Sequence, residues 1–277
     1  MQWSVTMQAT VTGLRVYPVK SAHGIGRARV PLTARGLEWD RHWMLVNPRG
    51  VFLTQRTHPQ LARLVPEVRD DALILQFPGL PPLGVPLTLS GTPAHVRVWD
   101  DSCVGLDEGA EAAGWVSRAI GEELRLVRAP PGMRRNANPR FAGLTPAPIG
   151  FPDGYPILVC NEASLEDLNS RLPQPVPMDR FRPNLVLQGL PAWAEDRIDT
   201  LTIGPVTLKL VKPCTRCTIP SIDQDTGAPS TDPAPALKKF RFSRELKGVM
   251  FGENAVIVSG VGTSLETGAA AHASLEG

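Results

Sequence analysis

Short apolar runs separated by turn residues dominate both ends of the chain. The runs within residues 9–86 are VTGLRVYPVKS, ARVPLTARGL, RHWMLVNPRGVFLTQ and ALILQF, and after residue 152 come PILVCN, NLVLQG, LTIGPVTLKLVKP and ENAVIVSG. Apolar runs of about four to eight residues between Gly, Pro, Asn and Asp predict β-strands. NPRG at residues 47–50 predicts a hairpin turn. The pattern therefore predicts a β-barrel or sandwich.

Two segments carry helical periodicity instead. DEGAEAAGWVSRAIGEEL, from Asp107, opens with acidic residues, and four apolar residues share one face: Ala112, Trp115, Val116 and Ile120. In ASLEDLNSRL, Ser164 followed by Asp167 predicts a variant of the capping box. Three leucines align on this second helix: Leu165, Leu168 and Leu172. Both helices are short, so the predicted fold class is mainly β with some α (α+β).

The proline-rich stretch 129–152 separates the two strand-rich regions and shows no periodicity, which predicts a linker or a long functional loop. Five arginines and no acidic residue lie between Leu124 and Pro152: Arg125, Arg128, Arg134, Arg135 and Arg140. Either a solvated basic loop or an anion-binding lip over a phosphorylated ligand fits this composition. We expect domains at 9–128 and 129–265, followed by a disordered tail at 266–277.

Composition narrows the function classes. A net charge of +2 over 277 residues gives no reason to expect nucleic acid as a partner. No signal peptide and no apolar window of membrane-spanning length is visible, so we expect a soluble protein without a membrane partner. The 4 cysteines are too few and too scattered for a secreted disulfide framework, which favours a cytoplasmic location.

The most informative motif is the cysteine pair of PCTRC, Cys214 and Cys217. Structural zinc and a [2Fe–2S] cluster both call for four protein ligands, and neither the other cysteines nor the histidines have the spacing to complete them. A thioredoxin-like pair calls for a helix at the second cysteine, which Pro220 and DQDTG disfavour. These alternatives stay open beside a fourth, in which one thiolate binds an external metal centre and Lys212 and Arg216 favour its ionised form.

Several motifs together resemble one family over about residues 9–260. They are VYPVKSAHG, GLEWDRHWMLVNPRGVFLTQR, NEASLEDLNSRL, DRFRPNLVL, PCTRC, DQDTG and FGENAVI. In this order they resemble proteins with a molybdenum cofactor sulfurase C-terminal (MOSC) domain preceded by its N-terminal β-barrel domain. Within that family the chain is most similar to the mitochondrial amidoxime-reducing components and their bacterial relatives, without the ferredoxin domain that many bacterial members append. The resemblance implies a MOSC β-barrel domain plus a β-barrel-like N-terminal domain.

The resemblance also implies a pterin-based molybdenum cofactor, Mo-molybdopterin, whose metal is bound by Cys217 as the catalytic and metal-ligating residue. Cys214 takes a less essential packing place. The matching cofactor contacts are Lys20, Ser21 and Arg41 at the phosphate, Arg182 and Asn184 at the pterin, and Thr215 and Arg216 near the metal and pyranopterin. Cationic and hydroxyl groups suit a phosphate, and fixed donors and acceptors suit a planar heterocycle. Pyridoxal phosphate binding is carried over only as a property attached to the family as a whole.

Other conspicuous residues have simpler interpretations. We interpret Arg56 as a barrel salt-bridge partner, Asp223 as a turn carboxylate, and Cys103 and Cys160 as buried small apolar residues. At DGYP, residues 153–156, the mitochondrial proteins carry a hydroxyl-rich stretch, so no hydroxyl contact is transferred to Gly154 or Tyr155. The atypical end SLETGAAAHASLEG leaves the last barrel strand open.

The function that the resemblance implies is reduction of N-hydroxylated compounds, amidoximes and hydroxylamines, by the molybdenum enzyme. With no second redox centre in the chain, electrons are expected from a separate ferredoxin-type or flavin partner, which the arginine cluster at 134–140 would attract if it is acidic. One alternative is a protein that carries the cofactor, or sulfur on Cys217, without reductase activity. Another is a structural β-barrel with an incidental cysteine pair.

Overall fold

The computed structural model describes residues 6–88 and 91–275, and strands dominate it. The strands are β1 (Thr6–Val16), β2 (Ile25–Gly26), β3 (Arg29–Thr33), β4 (Gly36–Leu37), β5 (Trp43–Val46), β6 (Val65–Arg69), β7 (Ala72–Gln76), β8 (Leu83–Pro86), β9 (Thr92–Val98), β10 (Asp101–Asp107), β11 (Arg125–Arg128), β12 (Ile157–Asn161), β13 (Leu185–Gln188), β14 (Ile198–Ile203), β15 (Val206–Thr215), β16 (Phe242–Ser243), β17 (Gly248–Ser259), β18 (Ser264–Glu266) and β19 (Ala270–Leu275). The α-helices are α1 (Ala110–Ile120), α2 (Pro139–Ala142), α3 (Glu162–Asn169) and α4 (Ala234–Lys238). The 3₁₀ turns are Pro59–Arg63, Met178–Phe181, Ala194–Arg197 and Ile219–Ser221. The mainly-β prediction is confirmed.

Seven strands form a closed β-barrel in the order β12-β13-β1-β19-β14-β15-β17, and pairing of β17 with β12 closes the ring. Closure leaves no free strand edge within the ring. Alternate residues of the strands point inward, as period-2 burial along β1 shows. The barrel interior holds fully buried aliphatic side chains, among them Val11, Leu187, Leu201, Leu208 and Ala271.

Both ends of the described chain complete this barrel. β1 pairs with β13 on one side and with β19 on the other, and β19 also pairs with β14. The prediction of a disordered tail is therefore wrong for residues 270–275, because small side chains at Ala271 and Ala273 alternate inward and are fully buried. Residues 276–277 lie outside the described part of the chain. β19 occupies the barrel position that the sequence left open.

The N-terminal region has a second hydrophobic core. The sheet β5-β11-β10-β9 and the sheet β6-β7-β8 lie there with α1, whose buried face includes Trp115 and Val116. This core runs from Val19 to Leu126, whereas Val30, Leu32 and Leu37 pack into the barrel core. Segments of the predicted 9–128 domain thus contribute to both cores.

The stretch 129–152 packs against the protein instead of linking two halves loosely. Its buried apolar side chains include Ala129, Met133, Ala137, Ala142, Ala147, Ile149 and Phe151. Arg135 is also buried, with Nε at 2.9 Å from Asp101 and Nη1 at 2.6 Å from the Gly150 carbonyl. The linker interpretation is therefore wrong. Arg135 cannot belong to an exposed basic lip.

The predicted local structures are confirmed in outline. α1 ends at Gly121, whose φ of 90° lies in the left-handed region and suits a helix C-terminus. In the predicted hairpin Asn47 N–H donates to the Val51 carbonyl at 3.0 Å. The capping box is wrong, since Asn161 caps α3 by accepting from Ala163 N–H. Ser164 is instead buried and donates to Glu195 at 2.7 Å. Within the two described ranges, every helix is too short or too polar to cross a membrane.

Candidate functional site

A cleft of about 780 Å³, part of it open to solvent, lies where the barrel meets the N-terminal region. Barrel strands β12, β15 and β17 contribute one wall, and the loops before β5 and after it contribute another. The lining of the cleft comprises Lys20, Ser21, Arg41, Thr54, Arg56, Pro152, Asp153, Gly154, Tyr155, Leu158, Phe181, Arg182, Asn184, Cys214, Thr215, Arg216, Cys217, Ile219 and Asn254.

The cleft brings together all eight residues predicted from the sequence. They are Lys20, Ser21, Arg41, Arg182, Asn184, Thr215, Arg216 and Cys217. Lys20 and Cys217 lie far apart in the sequence, so the fold, and not local chain continuity, brings the eight residues together. Their individual roles remain predictions.

The charge of the lining is strongly positive. Five of its side chains are cationic and Asp153 is the single carboxylate among the lining residues. Lys20 Nζ donates to the Phe151 carbonyl at 2.8 Å and to Asp153, while Arg56 Nη2 lies 3.2 Å from Asp153. Burial lowers the pKa of Lys20, against the opposing effect of Asp153. Burial raises the pKa of Asp153, but Lys20 and then Arg56 hold it below its usual range.

Tyr17 lies between two cationic cleft residues. The guanidinium carbons of Arg41 and Arg182 are each 4.2 Å from the centre of its ring, a geometry typical of cation–π contacts. Arg41 also donates to Asp40 at 2.7 Å and to Asn184 Oδ1 at 3.1 Å. Burial raises the pKa of Tyr17 to about 12, although Arg182 opposes the shift. Tyr17 therefore remains a neutral aromatic support for both guanidinium groups.

Three of the predicted cofactor residues have left-handed backbone conformations. The φ angles are 65° at Ser21, 45° at Arg41 and 54° at Arg182. Non-glycine residues rarely adopt such angles, and each costs of the order of 1–3 kcal/mol unless its surroundings hold it. Strain of this kind is concentrated at functional sites. It adds an observation that the sequence could not supply.

The cysteine pair lies at the end of β15, in free thiol form. β15 pairs irregularly with β17 between Leu210 and Lys212 and between Pro213 and Thr215. Such bulges re-aim side chains next to active sites. The strand ends at Thr215, and Cys217 follows in irregular chain before a single 3₁₀ turn instead of an α-helix. This matches the sequence argument against a thioredoxin-like helix.

The cation nearest the pair contacts the first cysteine. Arg216 Nη1 donates to Cys214 Sγ at 2.9 Å and Nη2 donates to the Phe181 carbonyl at 2.8 Å. Burial alone would lower the pKa of Arg216, but the nearby sulfur groups of Cys214, Cys217 and Cys160 together raise it. Lys212 lies instead over the Phe141 ring, 5.1 Å from its centre. Cys214 thus anchors Arg216 in addition to packing beside the apolar cluster around Phe251.

The chemistry of the lining fits an anionic, heteroatom-rich ligand. Two buried guanidinium nitrogens, Arg182 Nη2 and Arg216 Nε, have no hydrogen-bond partner among the described residues. Buried donors of this kind are costly unless a ligand satisfies them. Residues 6–88 and 91–275 also contain no group of three or more His, Cys, Asp or Glu side chains arranged to hold a metal. A metal at Cys217 would therefore take its other ligands from a cofactor, which suits a dithiolene-bearing pterin.

Sequence reasoning missed part of the lining. Arg56, interpreted as a barrel salt bridge, lies in the cleft on Asp153 and over Trp99 at 4.7 Å. Asp153 and Tyr155 also line the cleft. They belong to DGYP, where the sequence departs from the family pattern, so the resemblance assigned them no role. Asp223 is the predicted turn carboxylate, accepting from Thr226 N–H at 2.9 Å. Cys160 is fully buried, as predicted, whereas Cys103 is only partly buried.

Comparison with known proteins gives two family matches and similar relatives. The MOSC N-terminal beta barrel domain matches residues 8–123, and the MOSC domain matches residues 146–269. The chain is 35% identical over 254 residues to mitochondrial amidoxime-reducing component 1 of Mus musculus, covering 88% of this chain and 75% of that protein. It is 36% identical over 242 residues to mitochondrial amidoxime reducing component 2 of Bos taurus, covering 84% and 72%.

A more distant relative has a different printed name. Molybdenum cofactor sulfurase of Bos taurus is 28% identical over 263 residues. The match covers 87% of this chain but 29% of that larger protein.

Proposed function

Because the chain belongs to the family of proteins that join a MOSC N-terminal β-barrel domain to a MOSC domain, we propose that it is a molybdenum-cofactor-dependent oxidoreductase that reduces N-hydroxylated compounds. Relatives named as amidoxime-reducing components and as a molybdenum cofactor sulfurase support the broader molybdenum-cofactor-related function. The observation that carries the proposal is the convergence of Cys217 and seven predicted cofactor contacts on one cationic cleft.

Each part of the cleft has a distinct task in this proposal. Lys20, Ser21 and Arg41 hold the terminal phosphate, for which cationic and hydroxyl groups are suited. The second group holds the pterin and its surroundings: Arg182, Asn184, Thr215 and Arg216. Cys217 supplies the one protein thiolate to the metal. When bound, the molybdenum cofactor supplies two-electron oxygen-transfer chemistry.

The overall reaction fixes what else is needed. Converting an N–OH group to N–H with release of one water consumes two electrons and two protons. The electrons come from a separate redox protein, of ferredoxin or flavin type. The chain's contribution is to bind and orient, in a cleft whose cations lower the free energy of anionic groups. Acetamidoxime and benzamidoxime are suitable test substrates.

The direct experiment is molybdenum and pterin analysis after expression in a host that makes the cofactor. Wild type is expected to retain both at near one equivalent and to reduce benzamidoxime when given a chemical electron donor. Cys217→Ser should lose the metal and the activity, while Cys214→Ser should keep most of the metal. Loss of molybdenum from the Cys214 variant alone would overturn the ligand assignment.

A carrier of cofactor or sulfur is the second candidate, and similarity to a protein named molybdenum cofactor sulfurase favours it. The same cleft serves both functions. Stoichiometric cofactor with no reduction of any amidoxime or hydroxylamine, in the presence of a competent donor, would support the carrier. Protein without molybdenum or pterin from such a host would contradict both.

A further inference from the structure

Two buried glutamines meet beside the cleft and exchange hydrogen bonds. Gln55 Nε2 donates to Gln224 Oε1 at 3.1 Å, and Gln224 Nε2 donates to Gln55 Oε1 at 3.0 Å. Gln55 is fully buried and Gln224 is 4% exposed. They are 169 residues apart in the chain, so the contact is made by the fold alone. Neither residue lines the cleft itself.

Each glutamine also holds one predicted cofactor residue. Gln224 Oε1 accepts from Arg182 Nη1 at 3.0 Å, and Gln55 Nε2 donates to the Ser21 carbonyl at 2.7 Å. Gln224 Nε2 makes a further bond to the Ile222 carbonyl at 3.1 Å. All four polar groups of the two side chains are therefore satisfied, as buried amides require.

The reciprocal contact fixes which way both amides point. Turning the Gln224 amide over would place its NH₂ group against the guanidinium of Arg182, donor against donor. It would also break both bonds with Gln55. Ser21 and Arg182 both have left-handed backbone conformations, which cost free energy and persist only when neighbouring groups hold them.

We propose that the Gln55–Gln224 amide pair is a positioning device that fixes Arg182 and Ser21 relative to each other, so that the cleft is shaped for its anionic ligand before the ligand binds. Gln55 follows Leu53, which belongs to the N-terminal core, and Gln224 follows the barrel strand β15 in the chain. The pair thus couples the two walls of the cleft. Preorganisation of this kind strengthens binding by removing the ordering cost.

The test uses methionine, which approximates glutamine in length but cannot make the bonds. The variants are Gln55→Met, Gln224→Met and the double variant, with Gln60→Met as the matched control. Gln60 Nε2 donates to the Ile120 carbonyl at 3.4 Å, away from the cleft. Each single variant should lower the melting temperature by about 2–6 °C, and the double variant should recover part of the loss, since no amide is then left facing an apolar partner.

The positioning readouts should follow a different order. Inorganic pyrophosphate, titrated calorimetrically into cofactor-free protein, should bind about tenfold more weakly to both single variants and to the double variant than to wild type. Pterin content after expression in a cofactor-producing host should fall in the same three variants. A role in stability alone predicts instead that affinity recovers with melting temperature in the double variant, and that result would overturn the proposal.

A spectroscopic readout separates this inference from the proposed function on which its ligand rests. The ¹⁵N-guanidinium NMR signal of Arg182, assigned by its loss in Arg182→Met, should be slow to exchange in wild type. It should broaden or exchange faster in Gln224→Met. Gln224→Glu retains an acceptor for Arg182 and should retain the signal.

The possible results are then distinct. One possible result is that Gln224→Met loses the Arg182 guanidinium signal while wild type binds neither pyrophosphate nor pterin. That result would support the positioning of Arg182 but reject both the ligand and the proposed function. An unchanged signal, or wild-type affinity in Gln224→Met, would reject the positioning role even in an active molybdenum enzyme.

Discussion

Arg128 and Arg182 are both buried arginines, at 2% and 7% exposure, but their guanidinium groups have opposite surroundings. Arg128 Nε and Nη2 bind Glu108 at 2.6 and 3.0 Å, and Nη1 binds the Leu87 carbonyl at 2.6 Å. Arg182 Nη1 donates to the neutral amide of Gln224, and its Nη2 has no partner among the described residues. Burial lowers the pKa of Arg182 to about 10, with Tyr17 opposing.

The difference shows what distinguishes a structural arginine from a binding one. A guanidinium whose donors all meet carboxylate and carbonyl oxygens has no capacity left for a ligand. A buried guanidinium that keeps an unpaired donor contributes most to stability once an anion binds to that donor. Of the arginine cluster that looked like an anion-binding lip in the sequence, the two buried members, Arg128 and Arg135, are of the first type, and Arg182 in the cleft is of the second.

The largest effect is expected from Arg128→Met. Removing this side chain leaves Glu108, only 6% exposed, buried beside the Trp43 indole without its ion-pair partner. Breaking a buried pair from one side costs about 3–5 kcal/mol. Urea unfolding should show that loss in the free energy of unfolding, while the folded fraction should bind pyrophosphate as wild type does.

Replacing both partners supplies the control. The double variant Arg128→Met/Glu108→Met should recover much of the loss, because no uncompensated charge stays buried. Arg118→Met, on the exposed face of α1, should change the free energy by less than about 0.5 kcal/mol. A large drop in pyrophosphate affinity in Arg128→Met would break the distinction between the two arginines.

Arg182→Met should show the reverse pattern. The variant loses one hydrogen bond and the contact with Tyr17, but it also removes a desolvated charge. The free energy of unfolding should therefore change by no more than about 1 kcal/mol. Pyrophosphate affinity should fall about 10- to 100-fold, which corresponds to about 1.4–2.8 kcal/mol. Calorimetric titration beside urea unfolding checks both parts.

A loss of stability as large as that of Arg128→Met would assign Arg182 to the structural class. Unchanged affinity together with unchanged stability would remove its binding role.

Only part of the fold and of the cleft could be predicted from the sequence. Strand runs predicted a β-barrel or sandwich because short apolar runs between turn residues are a local property. The family resemblance implied the barrel and the eight residues that the fold collects in the cleft. Burial of Arg128 and Arg135 was not predictable, because their partners Glu108 and Asp101 lie directly after and at the start of β10, outside the basic stretch. The Gln55–Gln224 pair and the inclusion of β19 in the barrel depend on long-range packing for the same reason.

A smaller, pH-dependent effect is expected from His42, which lies near Arg128. Its ring is in edge contact with Trp39 and Trp43, at 5.1 and 4.7 Å between ring centres. Burial lowers the pKa of His42 to about 4, and Arg128 and Arg35 add to the shift. The unfolded chain takes up this proton near pH 6.5 and the folded one near pH 4, so stability should fall as pH drops through that window.

The measurement compares urea unfolding at pH 7 and pH 5. His42→Phe should remove about 1–2 kcal/mol of the difference between the two pH values, allowing for partial exposure of the ring. The double variant Arg128→Met/Glu108→Met should keep most of that difference, because burial is the larger cause. Its disappearance there would mean that the charge of Arg128 reaches the core despite Glu108.

The smallest effect on stability is expected at the exposed end of the basic stretch. Arg140 and Glu245 form an ion pair at 3.2 Å with both side chains at least 70% exposed, and Arg134 is also exposed. Exposed pairs contribute little, so Arg134→Glu and Arg140→Glu should each change the free energy of unfolding by less than about 0.5 kcal/mol. Chemical denaturation of each variant checks this.

Arg134 and Arg140 are instead expected to affect the turnover rate, because exposed charges change the rate at which two proteins associate. If an acidic electron-donor protein docks here, both reversals should slow benzamidoxime reduction with a plant-type [2Fe–2S] ferredoxin at low salt. They should not slow reduction with a chemical donor, and the difference should shrink as salt rises. Arg118→Glu on α1 is the matched control. Equal losses with both donors would place the defect in the cleft. Unchanged rates with both donors would show that Arg134 and Arg140 are only solvated charges. The cationic cleft would then be the remaining positive surface for an anionic partner.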